Sequence, residues 1–212
     1  MNGRSSTETK PTSLRTRLRE ATAAAILDAA EDVFAEQGLS GAHMNDIATR
    51  AGVAVGTMYN HFKDRDAMLA ALMRERRMGM FAVMDEFLEL PTSGNFRDDL
   101  LALMRLLGSY LEEHKRFHHI MHQCDLPGVL GNYPDTAAQL PELKQEMHRR
   151  LQKLMDRGIE QKALRPELAD YYPALLMGVL RAAKQRQAEL TDEERHMSID
   201  QIVHFFMQGA GV

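Results

Sequence analysis

The chain has 212 residues, 44% hydrophobic, 26% charged and 6% aromatic, with no Trp and a formal net charge of -4. That balance builds a globular core and excludes a low-complexity or strongly basic chain. The single cysteine, Cys124, excludes an intrachain disulfide and suits a reducing cytoplasm, and the apolar run 174–180 ends at Arg181, too short to span a bilayer, so a cytoplasmic protein without a signal peptide or membrane contact is expected.

Leu, Ala, Met, Glu, Arg and Gln dominate, and these favour helices over strands. Residues 1–13 are polar, with Ser, Thr, Gly and Pro, and read as a flexible arm. Residues 1–20 hold five basic side chains (Arg4, Lys10, Arg15, Arg17, Arg19) against Glu8 and Glu20, a local +3. A helix is predicted over 14–37, where Ile26, Ala30, Val33 and Phe34 share one face and Gly38 supplies a stop. Short helices follow over 45–50 and 55–62, joined by a turn at Gly52. Asp64 then caps a long helix reaching about residue 90.

The break at 91–95 precedes predicted helices over 96–113 and 115–124. Residues 126–141 carry Pro127, Gly128, Gly131, Pro134 and Pro141 and read mostly as loop. Helices are expected again over 143–162, 167–188 and 198–208. The fold class is therefore all-α. Two short helices around a glycine turn describe a helix-turn-helix, which gives three segments: an arm (1–13), a helix-turn-helix domain (14–63) and a helical C-terminal domain (64–212).

The string from Asp46 to Lys63 carries the chemistry. Ile47, Ala48, Val53, Met58 and Phe62 are spaced to bury against the first helix. Ala54 and Gly56 keep the second short helix slim, and Val55, Thr57, Asn60 and His61 stay near its outer surface. Tyr59 and Lys63 are donors suited to phosphate oxygens. Small residues for approach, polar tips for base edges and flanking phosphate donors are what a helix in the major groove requires.

This string resembles the helix-turn-helix of the TetR (tetracycline repressor) family, through Ile47-Ala48, Ala51-Gly52-Val53, Gly56-Thr57-Met58-Tyr59 and Phe62-Lys63. The likeness extends upstream over 26–38 and downstream to Leu69, about a quarter of the chain. The resemblance implies an N-terminal three-helix DNA-binding domain and a C-terminal helical domain for ligand binding and dimerisation. It implies a homodimer on a pseudo-palindromic operator in double-stranded DNA, released by a small-molecule inducer. Ala54, Val55, Thr57 and His61 would face the groove, and Tyr59, Asn60 and Lys63 would meet phosphates. The chain departs from the family at Ala42 and His43, where a capping Thr is usual; His43 or Ser40 substitutes, or the contact is lost. Val55 also replaces a position that is often polar, which limits it to apolar contact such as a thymine methyl.

In the C-terminal half, inducer-pocket candidates are Met84, Phe87, Met104, Tyr110, Phe117, Met121, Met147, Leu151 and Tyr172, since Met-rich surfaces adapt to varied ligands. Two stripes, Leu176, Val179, Leu180 and Ala183, and Ile199, Ile202, Val203 and Phe206, are candidates for a dimer interface or for the monomer's own core. His114, His118 and His122 recur every four residues near Cys124, so a metal-sensing regulator is an alternative, although steps of four drift around a helix and a solvated or hydrogen-bonded His face is expected instead. A ligand-free DNA-binding dimer is a further alternative. The two Glu-x-x-His motifs that a carboxylate-bound metal pair needs on separate helices are not both present, and no His-Glu-x-x-His, Gly-x-Ser-x-Gly or phosphate-binding Gly-x-x-x-x-Gly-Lys occurs, so no catalytic residues, cofactor or enzyme activity are expected.

Overall fold

The computed structural model describes residues 13–124, 126, 128–189 and 197–211. Among them the chain is helical, with no strand and one isolated antiparallel bridge between Leu164 and Gly211. The expected all-α class holds. The arm expected at 1–13 lies outside the described residues except for Ser13. That serine caps the first helix, its Oγ accepting from the Thr16 N–H at 3.2 Å.

Helix α1 spans Leu14–Gly41, with non-helical backbone at Gly38 (φ 74°, ψ 164°). A positive φ is cheap only for glycine, so the regular helix stops where that residue stands and one short turn follows. Helices α2 (Met44–Ala51), α3 (Val55–His61) and α4 (Arg65–Glu89) come next. Asp64 Oδ1 accepts from the Ala67 N–H at 2.8 Å, which caps α4. The chain divides into two units, one ending at Leu72 and the other starting at Met73. α4 therefore begins in the first and ends in the second.

The first unit has a small core. Ile26, Ala30, Val33 and Phe34 of α1, Ile47 and Ala48 of α2, Met58 of α3 and Met68, Leu69 and Leu72 of α4 are all buried. Each large apolar side chain there contributes about 1.5–3 kcal/mol by leaving water. Val53 and Phe62 are only half-buried. They sit at the ends of α3, where the small core runs out.

The second unit adds α5 (Phe96–Glu113), α6 (Lys115–Cys124), α7 (Pro134–Glu160), α8 (Tyr172–Glu189) and α9 (Ile199–Ala210). Helix α5 packs on α6, α7 and α9, and α8 on α7 and α9. Short 3-10 turns cover Val129–Asn132 and Pro166–Tyr171. Its core joins Met80, Phe81, Met84 and Leu88 of α4 with residues of α5, α7, α8 and α9. Arg150 of α7 reinforces the packing on α4: it donates to Asp85 at 2.9 and 2.8 Å and lies 4.4 Å above the Phe81 ring.

One expectation fails. Residues 126–141 are not mostly loop, because α7 starts at Pro134 and runs through Pro141. Proline at the first helical position forfeits no hydrogen bond. Further on, Thr136, Gln139, Leu140 and Leu143 are buried on one face. That burial outweighs the hydrogen bond and the steric room that Pro141 costs.

Candidate DNA interface

The geometry of α2 and α3 follows from local sequence. Gly52 adopts φ 67° and ψ 27°, and its N–H donates to Thr49 O at 3.2 Å. The Val53 N–H donates to Ala48 O at 3.1 Å. These bonds close α2 and turn the chain at once into α3. Only glycine takes that left-handed turn without strain. Ile47, Ala48 and Met58 then anchor both helices in the core.

What α3 leaves outside is a narrow face. Ala54, Val55, Gly56, Tyr59 and Asn60 are exposed, while Thr57 and His61 are half-buried. Tyr59 is 50% accessible, which leaves its hydroxyl for an outside acceptor. Gly56 is informative: a Cβ placed there would meet nothing within 4 Å. Among the described residues no contact requires this glycine.

Lys63 is exposed beyond the end of α3, within 4.0 Å of Asp64. His43 is exposed and precedes α2, but its side chain makes no cap. Ala42 is buried, and the Ser40 carbonyl accepts from Arg65 at 2.9 Å. Neither His43 nor Ser40 thus takes over the internal capping role of the missing Thr, and the positive end of α2 lacks a side-chain cap.

Arg50 fixes the pose of α2. It donates to both carboxylate oxygens of Glu36 on α1 at 2.7 Å, with Asp32 at 3.8 Å. The hydrogen bond to Glu36 is the main cause that holds the Arg50 guanidinium above its usual pKa.

A second surface was invisible in the sequence. Arg15, Leu18, Arg19 and Thr22 of α1 and Asn60 and His61 of α3 line one open groove of about 420 Å³. Arg15 and Arg19 lie one helical turn apart and are exposed. The basic start of α1 and the end of α3 thus line one groove that carries two arginines. The only signal for this in the sequence was the local positive charge.

Residues 26–72 match the family model for bacterial regulatory proteins of the tetR family. The HTH-type transcriptional regulator AcrR of Shigella flexneri is 28% identical over 162 residues, which cover 72% of this chain and 71% of that protein. The HTH-type transcriptional repressor KstR2 of Mycolicibacterium smegmatis is 25% identical over 68% of this chain and 67% of its own. The likeness to the TetR family is carried by residues 26–72 and extends, at 25–28% identity, over 68–72% of the chain.

The likeness in fold covers both units. The FadR regulator of Bacillus subtilis, solved with stearoyl-CoA, superposes with a TM-score of 0.70 at 18% identity, covering 87% of this chain and 95% of that one. As in that fold, this chain has an N-terminal helix-turn-helix and a C-terminal helical domain.

Within the C-terminal unit, the pocket candidates divide. Met84, Met104, Leu151 and Tyr172 are buried in one core cluster, with Phe87, Tyr110 and Met147 packed against it. Phe117 is buried and Met121 half-buried on α6, outside that cluster. Tyr172 serves the fold itself, its hydroxyl donating to Arg165 O at 2.8 Å and lying 3.3 Å from Ala210 O.

The two candidate dimer stripes are divided between core and surface. Leu176, Ile202, Val203 and Phe206 are buried, and Val179, Leu180, Ala183 and Ile199 are half-buried or at the margin of the core. Exposed instead are Tyr171, just before α8, Leu175, Gly178 and Ala182 along α8, and Phe205 and Gly209 on α9. Gly178 and Gly209 would each accept a Cβ with nothing within 4 Å.

The His/Cys constellation does not converge. Among the described residues no three His, Cys, Asp or Glu side chains are placed to hold a metal ion. The His114 ring lies 4.4 Å from Tyr110, His118 meets Lys184, His122 is exposed and Cys124 is buried. Successive steps of four have turned the side chains toward different neighbours.

Proposed function

We propose that the chain is a homodimeric transcriptional repressor that a small apolar or amphipathic inducer releases from a pseudo-palindromic operator. The unit ending at Leu72 binds DNA, and the unit from Met73 binds the inducer and the second subunit. The observation that carries this reading is the outer face of α3, slim at Ala54 and Gly56 and flanked by Tyr59, Asn60 and Lys63.

In this reading Ala54, Val55, Thr57 and His61 meet base edges in the major groove. Tyr59, Asn60, Lys63 and His43 contact phosphates, joined by Arg15 and Arg19 across the groove between α1 and α3. With Val55 apolar and few polar tips, operator shape contributes to selectivity. The second copy docks on Tyr171, Leu175, Gly178, Ala182, Phe205 and Gly209, an apolar and small-residue face that suits close packing of helices.

The KstR2 relative is a named repressor, and the FadR neighbour holds a long-chain acyl thioester. The first supports the repressor role and the second a lipophilic inducer. Met84, Phe87, Met104, Tyr110, Met147 and Leu151 are the side chains that would repack around it, with Phe117 and Met121 on α6. The inducer acts by binding more tightly to a state in which the paired α3 helices no longer fit successive grooves. A regulator of chromosomal DNA works in the cytoplasm. No helix among the described residues is long and apolar enough to cross a membrane.

The decisive experiment is footprinting and fluorescence anisotropy on the DNA upstream of the protein's own gene. Saturable binding with a steep salt dependence is expected. Tyr59→Ala or Lys63→Ala weakens binding, and Lys63→Ala, which removes a cation, also lowers the slope of log K against log salt by about 0.9. Failure to bind any duplex at low ionic strength would remove the reading.

A further inference from the structure

One pair in the C-terminal unit is unexplained by packing or by the roles above. The Lys184 ammonium of α8 donates to His118 Nε2 of α6 at 2.6 Å, and both side chains are half-buried. Among the described residues, Lys184 has no carboxylate partner; its hydrogen bond to His118 is its polar contact. Its pKa is lowered by burial alone. A lysine ammonium partly removed from water and bonded to a neutral imidazole keeps its charge uncompensated, which is costly until an anion joins it.

The surroundings point the same way. His118 is pushed down first by burial, then by Lys184, His122 and His119, against Glu112 of α5, which raises it. The groups facing it are thus Lys184 from α8, His119 and His122 from its own helix, and Glu112 from α5. At neutral pH His118 is the neutral acceptor of the Lys184 proton. Beside it on α6, Phe117, Ile120 and Cys124 are buried and Met121 half-buried, so the basic pair adjoins an apolar strip.

We propose that His118 and Lys184 form the seat for the oxyanion head, carboxylate or phosphate, of the effector whose apolar part the C-terminal unit takes. This rests on the effector reading above and narrows it to acidic amphiphiles. The anion accepts from Lys184 Nζ–H and from His118 Nε2–H once His118 gains a proton. Binding therefore takes up a proton at His118, and affinity rises as pH falls toward the free protein's His118 pKa.

The probes are laurate, dodecyl phosphate and 1-dodecanol, titrated calorimetrically into the full chain between pH 6 and 8. At least one of the two anions should bind about tenfold or more tightly than the alcohol. Which anion does so identifies the head as carboxylate or phosphate. Lys184→Met should remove that preference while binding of the alcohol and of duplex DNA persists, and Lys184→Arg should retain it. His118→Gln should abolish the proton uptake seen when two buffers of different ionisation enthalpy are compared. Equal affinity for acid and alcohol, or an unchanged preference in Lys184→Met, would overturn this proposal while leaving an apolar effector intact. If none of the three probes bound, both the anion seat and the lipophilic-inducer reading would fall, and DNA binding would stand on its own test.

Discussion

Arg50 and Glu36 form a two-point clasp, with both guanidinium nitrogens 2.7 Å from the carboxylate oxygens, that fixes α2 against α1. Both partners are well exposed, and exposed pairs add little to global stability. The value of the clasp lies in orientation, since a bidentate pair holds direction as well as distance. Arg50→Met should leave the melting temperature nearly unchanged and weaken duplex binding. Exchanging the partners, with Glu36→Arg and Arg50→Glu together, should recover part of the loss. Anisotropy and thermal melts on the same samples check this; a large drop in melting temperature would show that the pair is a structural support instead.

Gly56 separates stability from function. Its site on α3 has open space for a methyl group and carries no positive φ. Gly56→Ala should therefore stabilise the fold by about 0.5–1 kcal/mol through helix propensity and a less flexible unfolded chain. The same methyl group stands where α3 must approach a groove wall, so DNA affinity should fall. Urea denaturation and duplex titration read the two effects separately. Higher stability with unchanged affinity would mean that this face does not touch DNA.

The legible parts of the sequence were those with local causes. Helices α5 and α6 begin and end where the breaks at 91–95 and His114 put them, and α1 stops its regular run at Gly38 because a positive φ there needs glycine. The helix-turn-helix was legible because Gly52 and the spacing of Ile47, Ala48 and Met58 encode turn and burial together. What local pattern could not supply was which surfaces meet. Periodicity marked Leu176, Val203 and Phe206 as one apolar side but not whether that side faces the chain's own core. The groove of Arg15 and Arg19 with Asn60 and His61 exists only after α1 and α3 pack. Pro141 lies inside α7 because buried neighbours override the usual penalty, a tertiary effect.

Asp99 predicts an acid-sensitive joint. It is buried at the start of α5 and accepts from the Thr92 hydroxyl and, at 2.9 Å, from the Ser93 N–H, which folds the 91–95 turn onto the helix. Burial alone would raise its pKa, but the bonds from Thr92 and Ser93, with the nearby Arg157 charge, bring it below the usual carboxylate value. A depressed folded-state pKa means the stabilisation is complete above the unfolded value of about 3.9 and is lost as pH falls through the folded one. Asp99→Asn should cost about 1–3 kcal/mol at pH 7. It should also flatten the loss of stability between the unfolded and the folded pKa, read by urea denaturation across that range. The same acid sensitivity in mutant and wild type would assign it to other carboxylates.

Leu175 and Leu176 are adjacent on α8 yet should behave in opposite ways. Leu176 is buried and Leu175 is 49% accessible. Leu176→Asp places a charge in the core and should unfold the C-terminal unit, since an unpaired buried carboxylate is not tolerated. Leu175→Asp touches only the outer face shared with Tyr171, Gly178 and Ala182. It should keep helicity and melting behaviour at high dilution while shifting sedimentation from dimer to monomer, and Phe205→Asp on α9 should do the same. Because two half-sites are gripped together only by a linked pair, operator affinity should fall steeply in both variants while weak binding to a single half-site persists. A Leu175→Asp protein that still sediments as a dimer would move the interface elsewhere on the chain.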